Sequence, residues 1–232
     1  ELTSRSGPVS LAGGGGRPRS SGKDAMIRMG LMVIGLVALP ALGWQGTAHA
    51  QARTACTVVD VSGPSARMWA DGTWTQLRPG AAAVRDAKIV TDAQTRARIV
   101  CEDGLAVTVG TSTEVNLESL TDIGGGRVMQ IIEGVLGIFG AADTAAGMKV
   151  RTPLLIASVR STRWTAEHSP ADGSAVFVRS GRVRVVGRDR VAVVLAEGQG
   201  VTVTGQGETG EVKTWGEARI RKTMDALGFD WN

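Results

Sequence analysis

The residues able to do chemistry are few. The 232-residue sequence holds two His and two Cys, beside 26 Lys plus Arg and 22 Asp plus Glu. A structural zinc centre or an iron–sulfur cluster needs several His or Cys ligands, so neither is expected, and no cofactor is. His168 stands beside Ser169 and Pro170 in what reads as a polar loop. As a general base it would need a nucleophile and an orienting acid within reach. The sequence sets neither beside it, so a solvated histidine is expected. Asp71, Asp103, Glu133 and Glu197 sit next to glycines, where turn chemistry accounts for them. No spacing among them singles out a glycosidase pair, and the chain is not expected to be an enzyme.

Three other groups could bind rather than react. Trp69-Ala70-Asp71-Gly72-Thr73-Trp74 suggests an Asp-Gly hairpin turn that sets Trp69 opposite Trp74. The pair could be a stacking platform for a sugar or other flat ligand, or a hydrophobic staple closing one end of a sheet; the tendency of paired indoles to bury themselves favours the staple. Arg151, Arg160, Arg163, Arg179, Arg182 and Arg184 concentrate basic charge, and Arg182 and Arg184 alternate with Val183 and Val185, so they line one outward face. That face could meet an anionic glycan, a lipid headgroup or an acidic protein. The favoured reading is surface charge that discourages strand-to-strand aggregation. Nucleic acid is not expected, because no stacking aromatics accompany these arginines.

The elements that must position these residues begin after a targeting region. Residues 30–44 are an apolar run, broken by Pro40, that ends at Ala48-His49-Ala50. Ala48 and Ala50 give the small-x-small pattern of a signal-peptide cleavage site, with Gln51 as the mature start. The run is short for a membrane span of about 20 residues, so contact with the membrane is expected only through residues 26–50, before cleavage. Residues 1–25 are Gly-rich, without the makings of a core, and read as a disordered leader or a misplaced start. Residues 1–50 carry five of the basic and two of the acidic residues, so most of the net charge of +4 belongs to them. The remainder is nearly neutral. A periplasmic or secreted location follows from this reading.

From Gln51 the dominant signal is period-two alternation around single glycines, which marks half-buried antiparallel strands. Apolar residues lie five and three places before Gly104, Gly134, Gly181 and Gly198. After Gly134 and Gly181 they resume two and four places on. After Gly104 and Gly198 they resume three and five places on. The first spacing suits two-residue hairpin turns, which would pair Val178 with Val183. The second suits three-residue turns with a left-handed glycine, which would pair Cys101 with Leu105 and Ile99 with Val107. Trp215, Ala218, Ile220, Met224 and Leu227 then follow helical spacing up to Gly228, with Arg219, Arg221 and Lys222 expected on the solvent face. The predicted fold is all-β, a hairpin-rich antiparallel domain over 51–210 that is sandwich- or barrel-like, with a short α-helix packed on it within 211–232. Cys56 and Cys101 then fall on the first strand and on an inward hairpin row. Export favours a disulfide between them, the alternative being two buried thiols.

Thr152-Pro153, a short apolar stretch, and then Val159-Arg160-Ser161-Thr162 with Trp164 resemble the FecR domain family, which carries Thr-Pro followed by Val-Arg-Gly-Thr and an aromatic. The surrounding order of Thr91, Asp103-Gly104, Gly181 and Gly198-Gln199 agrees, so the resemblance covers about residues 56–204. Ser161 stands where the family usually has Gly. The resemblance implies the family's β-rich extracytoplasmic module, without the cytoplasmic anti-sigma segment and spanning helix of its iron-uptake sensors. It further implies a non-catalytic role, binding an envelope protein or glycan in sensing or scaffolding. Two alternatives stand beside it: a component of a ferric-siderophore sigma-factor system whose relay parts lie on another chain, and an envelope glycan-binding module or hydrolase.

Overall fold

Alternating apolar and polar residues build strand after strand. A computed structural model describes residues 55–121, 126–140 and 147–228, without the side chains of 160–162. In chain order the strands are β1 Cys56–Ser62, β2 Ala66–Ala70, β3 Thr73–Gln76, β4 Lys88–Thr91, β5 Arg96–Cys101, β6 Ala106–Val109 and β7 Glu114–Asn116. They continue as β8 Val128–Gly140, β9 Lys149–Arg151, β10 Leu155–Ser169, β11 Gly173–Gly187, β12 Ala192–Leu195, β13 Gln199–Val203 and β14 Lys213–Thr214, followed by the helix α1 Glu217–Leu227. The expected all-β class with a short C-terminal helix is what is observed. The proposed cleavage residues Ala48 and Ala50 lie outside the described residues.

Three long strands organise the sheets. β10 pairs with β9 through Ile156–Ser158 and with β8 through Thr162–His168, while β8 runs parallel to β9 through Val128–Gln130. The ring of pairings β8–β9–β10 therefore closes, and the long strands serve two sheets. One sheet runs β3–β2–β4–β7–β8–β9–β10–β11–β12, and the other β1–β5–β6–β8–β10–β11–β13–β14. Strands that switch sheets at bends are how such closed packings turn their corners.

The corner in β11 is sharp. Straight, its backbone from Ser174 to Gly187 would span about 43 Å. Yet Ser174 Oγ lies 2.7 Å from Thr152 Oγ1, and two residues along from Thr152 the Leu154 carbonyl accepts the Arg188 N–H at 2.8 Å. The strand is doubled over, with Val176 and Val178 of one arm and Val183 and Val185 of the other buried in one core.

This corrects the hairpins expected at Gly134 and Gly181, which lie inside β8 and β11. The odd spacing that suggested a turn marks a β-bulge instead. One extra residue in a continuous strand moves the apolar row back to the same face, as a two-residue turn would. The register slips where β7 meets β8, and in β10–β11 between Val159 and Thr162 and between Arg163 and Trp164. Gly134 adopts φ +97, a conformation that a side chain resists.

At Gly104 the expected turn forms: Ile99 faces Val107, Cys101 N–H donates to Leu105 O at 2.8 Å, and Gly104 has φ +86. At Gly198 the chain turns but makes no hairpin, because β12 and β13 both pair antiparallel with β11 and follow it round its corner.

Candidate functional site

The residues of the Thr-Pro and Val-Arg-Ser-Thr segment hold that corner. Thr152 Oγ1 accepts the N–H groups of Leu154 (3.1 Å) and Leu155 (3.0 Å), and Thr152 N–H donates to Leu155 O at 2.9 Å. This hydroxyl-capped turn, with Pro153 exposed in it, leads from β9 into β10. Val159 is buried at the start of the bulge, the backbone of Ser161 lies within it, and Trp164 is fully buried just beyond, opposite Val178 and Ile138. The side chains of Arg160, Ser161 and Thr162 are outside the described residues.

His168 is not in a loop. The alternation carries β10 to Ser169, so His168 is 8% exposed, with Nδ1 2.9 Å from Ser174 Oγ. The proton positions follow by counting. Two backbone N–H groups occupy both acceptor sites of Thr152 Oγ1, so its own proton goes to Ser174 Oγ at 2.7 Å; the Ser174 proton then goes to His168 Nδ1. That assignment puts the imidazole proton on Nε2 and leaves the ring neutral. Burial pushes the His168 pKa below its ordinary value, against smaller opposing effects from the Gly173 backbone and the Glu133 charge. Ser174 has no exposed surface, so this Ser–His contact offers no nucleophile to a substrate. It joins the end of β9 to the tip of the β10–β11 hairpin. No local spacing signals it, since Thr152 and Ser174 are brought together only by the doubling of β11.

Beside His168 a cavity of about 240 Å³ is lined by Glu133, Glu167, Asp172, Arg219 and Lys222 among others. Arg219 ion-pairs with Glu167, which also accepts Thr223 Oγ1 at 3.5 Å. The Arg219 guanidinium lies 4.7 Å over the Trp215 ring, which stacks on Phe177 with centroids 5.0 Å apart. Arg219 thus faces the domain, correcting the solvent face expected for it: an arginine reaches inward where a carboxylate and an aromatic face receive it. At the far end of α1, Arg96 donates to the carbonyls of Asp225 (2.6 Å) and Ala226 (3.1 Å), placing positive charge at the negative end of the helix.

The Asp71-Gly72 turn forms, and Trp69 faces Trp74 across β2 and β3. The pair is not buried as the staple reading requires. Trp69 is 39% and Trp74 44% exposed, because both point away from the core on a sheet margin that no other element covers among the described residues. Arg67 lies 5.2 Å over the Trp74 ring, a contact that contributes about 0.5–1 kcal/mol at an exposed site.

Arg151 is 3.7 Å from Glu118, and Arg163 lies 4.9 Å over the Phe139 ring. Arg182 and Arg184 are exposed beyond the corner of β11. The row Lys149–Ser158–Arg184–Val194 crosses β9 to β12 on the outward face. Cys56 and Cys101 face each other and are joined by a disulfide. Among the described residues, no group of three or more His, Cys, Asp or Glu could hold a metal ion, and no helix is long and apolar enough to cross a membrane.

Among solved structures the chain is similar to a candidate anti-sigma factor from Parabacteroides distasonis, with a TM-score of 0.50 and 20% identity over 58% of this chain and 62% of that one. A second structure of a candidate anti-sigma factor from the same organism gives a TM-score of 0.48 and 20% identity over 57% and 61%. The chain spans about three fifths of the length of these structures, and at this identity the likeness is one of fold. No curated protein matches the chain. Residues 87–184 match the FecR protein family. That stretch runs from β4 to the second arm of β11 and contains the closed strand ring and its corner.

Proposed function

We propose that this is an exported, non-catalytic FecR-like protein that binds a partner protein at the cell envelope in a sensing or scaffolding role. The observation that carries the reading is the outward face of β9–β12. Ile156 is 44% and Val194 59% exposed there, and Arg184 stands directly opposite Val194 and Ser158. Exposed aliphatic groups set among cations suit a partner that is both apolar and acidic. The Cys56–Cys101 disulfide supports an oxidising compartment, where such bonds persist. The test is affinity capture from an envelope fraction, comparing the wild-type chain with Arg184→Glu/Val194→Asp. A partner held by the wild type and lost from the variant supports the reading; equal retention by both removes this face from it.

The fold shared with the candidate anti-sigma factor supports a second reading, in which the domain is the extracytoplasmic part of a sigma-factor relay completed by another chain. A sigma-factor or outer-membrane receptor gene beside this one would favour that form. Unchanged sigma-dependent transcription after deletion of the gene would reject it.

A further inference from the structure

We propose that the outward face of β3–β2–β4–β7–β8 is a binding track for a linear, uncharged polysaccharide. The register of four strand pairs lays out one straight row: Trp74 opposite Trp69, Trp69 opposite Lys88, Lys88 opposite Asn116, and Asn116 opposite Gln130. Neighbouring strands lie about 4.8 Å apart, a step commensurate with one pyranose ring of an extended chain per strand. The row opens on two indoles and continues into a cation and two amides.

Each part suits a sugar. Indole faces receive the apolar C–H face of a pyranose ring while leaving its equatorial hydroxyls free to bond at the sides. Amides both donate and accept, as hydroxyls do. Asn116 Oδ1 is already held by the Glu118 N–H at 3.0 Å, which fixes the side chain and turns its NH2 group to other acceptors.

Charge decides the class of glycan. Lys88 Nζ is held by Glu114 Oε1 at 2.7 Å, and Arg67 is laid over Trp74, so no cation of the track stands alone. A polyanion would have to break the Lys88–Glu114 pair and approach the Glu114 carboxylate, whereas an uncharged chain meets a balanced surface. The sheet twists by about 20–25° per strand, which a single soluble chain can follow and a flat crystalline face cannot. The track ends at Gln130 on β8, beside Arg151 of β9, and Arg184 and Val194 of the partner face stand three and four strands beyond it on β11 and β12.

The test titrates the purified full chain with soluble cellohexaose and chitohexaose, and with an alginate hexamer as the carboxylated comparison, by calorimetry and tryptophan fluorescence. Trp164 is fully buried and Trp215 is stacked on Phe177, so a fluorescence change that Trp69→Ala and Trp74→Ala abolish belongs to the track. One of the two uncharged hexamers should bind, and each Trp substitution should weaken it by about tenfold. Gln130→Ala, on the fifth strand of the row and outside the β2–β3 hairpin, should weaken binding severalfold, which guards against local unfolding of the Trp variants. Arg184→Glu/Val194→Asp should bind as the wild type does, keeping this result apart from the partner reading. No binding of either uncharged hexamer at millimolar concentration overturns the proposal. So does tighter binding of alginate, unchanged affinity in all three track variants, or a dimer that dissociates when the two Trp are replaced, which would assign the indoles to a second copy of the chain.

Discussion

Thr152 Oγ1 and Ser174 Oγ share a hydrogen bond of 2.7 Å, and this contact joins the turn between β9 and β10 to the tip of the hairpin between β10 and β11. The contact exists because β11 doubles over, so a residue from its first turn of pairing reaches the strand end where Arg188 also bonds. The family segment thus has a physical role apart from any ligand. Its threonine closes the ring, its valine and bulge make the corner, and its tryptophan fills the space inside.

Removing the middle member of the Thr152–Ser174–His168 chain should be costly. In Ser174→Ala the Thr152 hydroxyl loses its acceptor and His168 Nδ1 its donor, both in buried surroundings. The expected loss is about 1–3 kcal/mol in urea unfolding. A loss no larger than that of an exposed Ser→Ala control would mean the chain of bonds contributes nothing.

His168 should make stability depend on pH. Burial holds its pKa below the ordinary 6.5, so as the pH falls the unfolded chain takes up a proton before the folded one does. The unfolded state then binds more protons, and folding stability declines through the window between 6.5 and the lower folded value. Above 6.5 the ring is neutral in both states and the contribution is complete. Urea midpoints at about pH 7.5 and about pH 5.5 should differ in the wild type, and the difference should shrink in His168→Gln.

Two glycines with positive φ should respond differently to a side chain. A Cβ at Gly134 would come within 2.5 Å of Thr113 Cα and 2.7 Å of Ser112 O, whereas a Cβ at Gly104 meets nothing within 4 Å. Gly104→Ala should cost about 1–2 kcal/mol, for the left-handed backbone alone. Gly134→Ala should cost about 3 kcal/mol or more, since the β8 bulge must also move. Thermal unfolding of the two variants side by side measures the difference.

The disulfide closes a span of 45 residues. Cys56→Ser/Cys101→Ser should therefore lose about 3–4 kcal/mol on the loop-entropy account. Mass spectrometry after alkylation of the denatured, unreduced protein should find no modified cysteine. Two modified thiols would show the bond is not formed in the isolated protein.

The helix α1 should be released by a change made outside it. Gly200 has ordinary backbone, but a Cβ there collides with the Trp215 indole, the ring that carries both Phe177 and Arg219. Gly200→Ala should raise amide hydrogen exchange across residues 217–227 while the exchange of β5 and β6 stays as in the wild type. Unchanged protection of the helix would show that Trp215 is not what holds it.

Local features were legible wherever one short stretch set the geometry. The Asp71-Gly72 turn fixed the facing of Trp69 and Trp74, and the spacing around Gly104 fixed the register of Ile99 with Val107. The stop at Gly228 was legible in the same way, whereas the pairing of Cys56 with Cys101, 45 residues apart, followed from the expected export of a chain with two cysteines and not from any local spacing. Alternation named the class, since its period belongs to strands alone.

What alternation cannot say is whether a break in the apolar row reverses the chain or only bends it. Around Gly134 and Gly181 a turn and a bulge restore the inward face equally well, and the choice fell to the bulge because the neighbouring strands offered both arms continuous partners. The same long-range doubling buried His168 against Ser174, and packing against Glu167 and Trp215 drew Arg219 inward. By itself the sequence determined which residues alternate and where single turns close. The tertiary structure alone decided which distant residues meet, because those contacts depend on how the sheets fold over one another, and no local spacing encodes that.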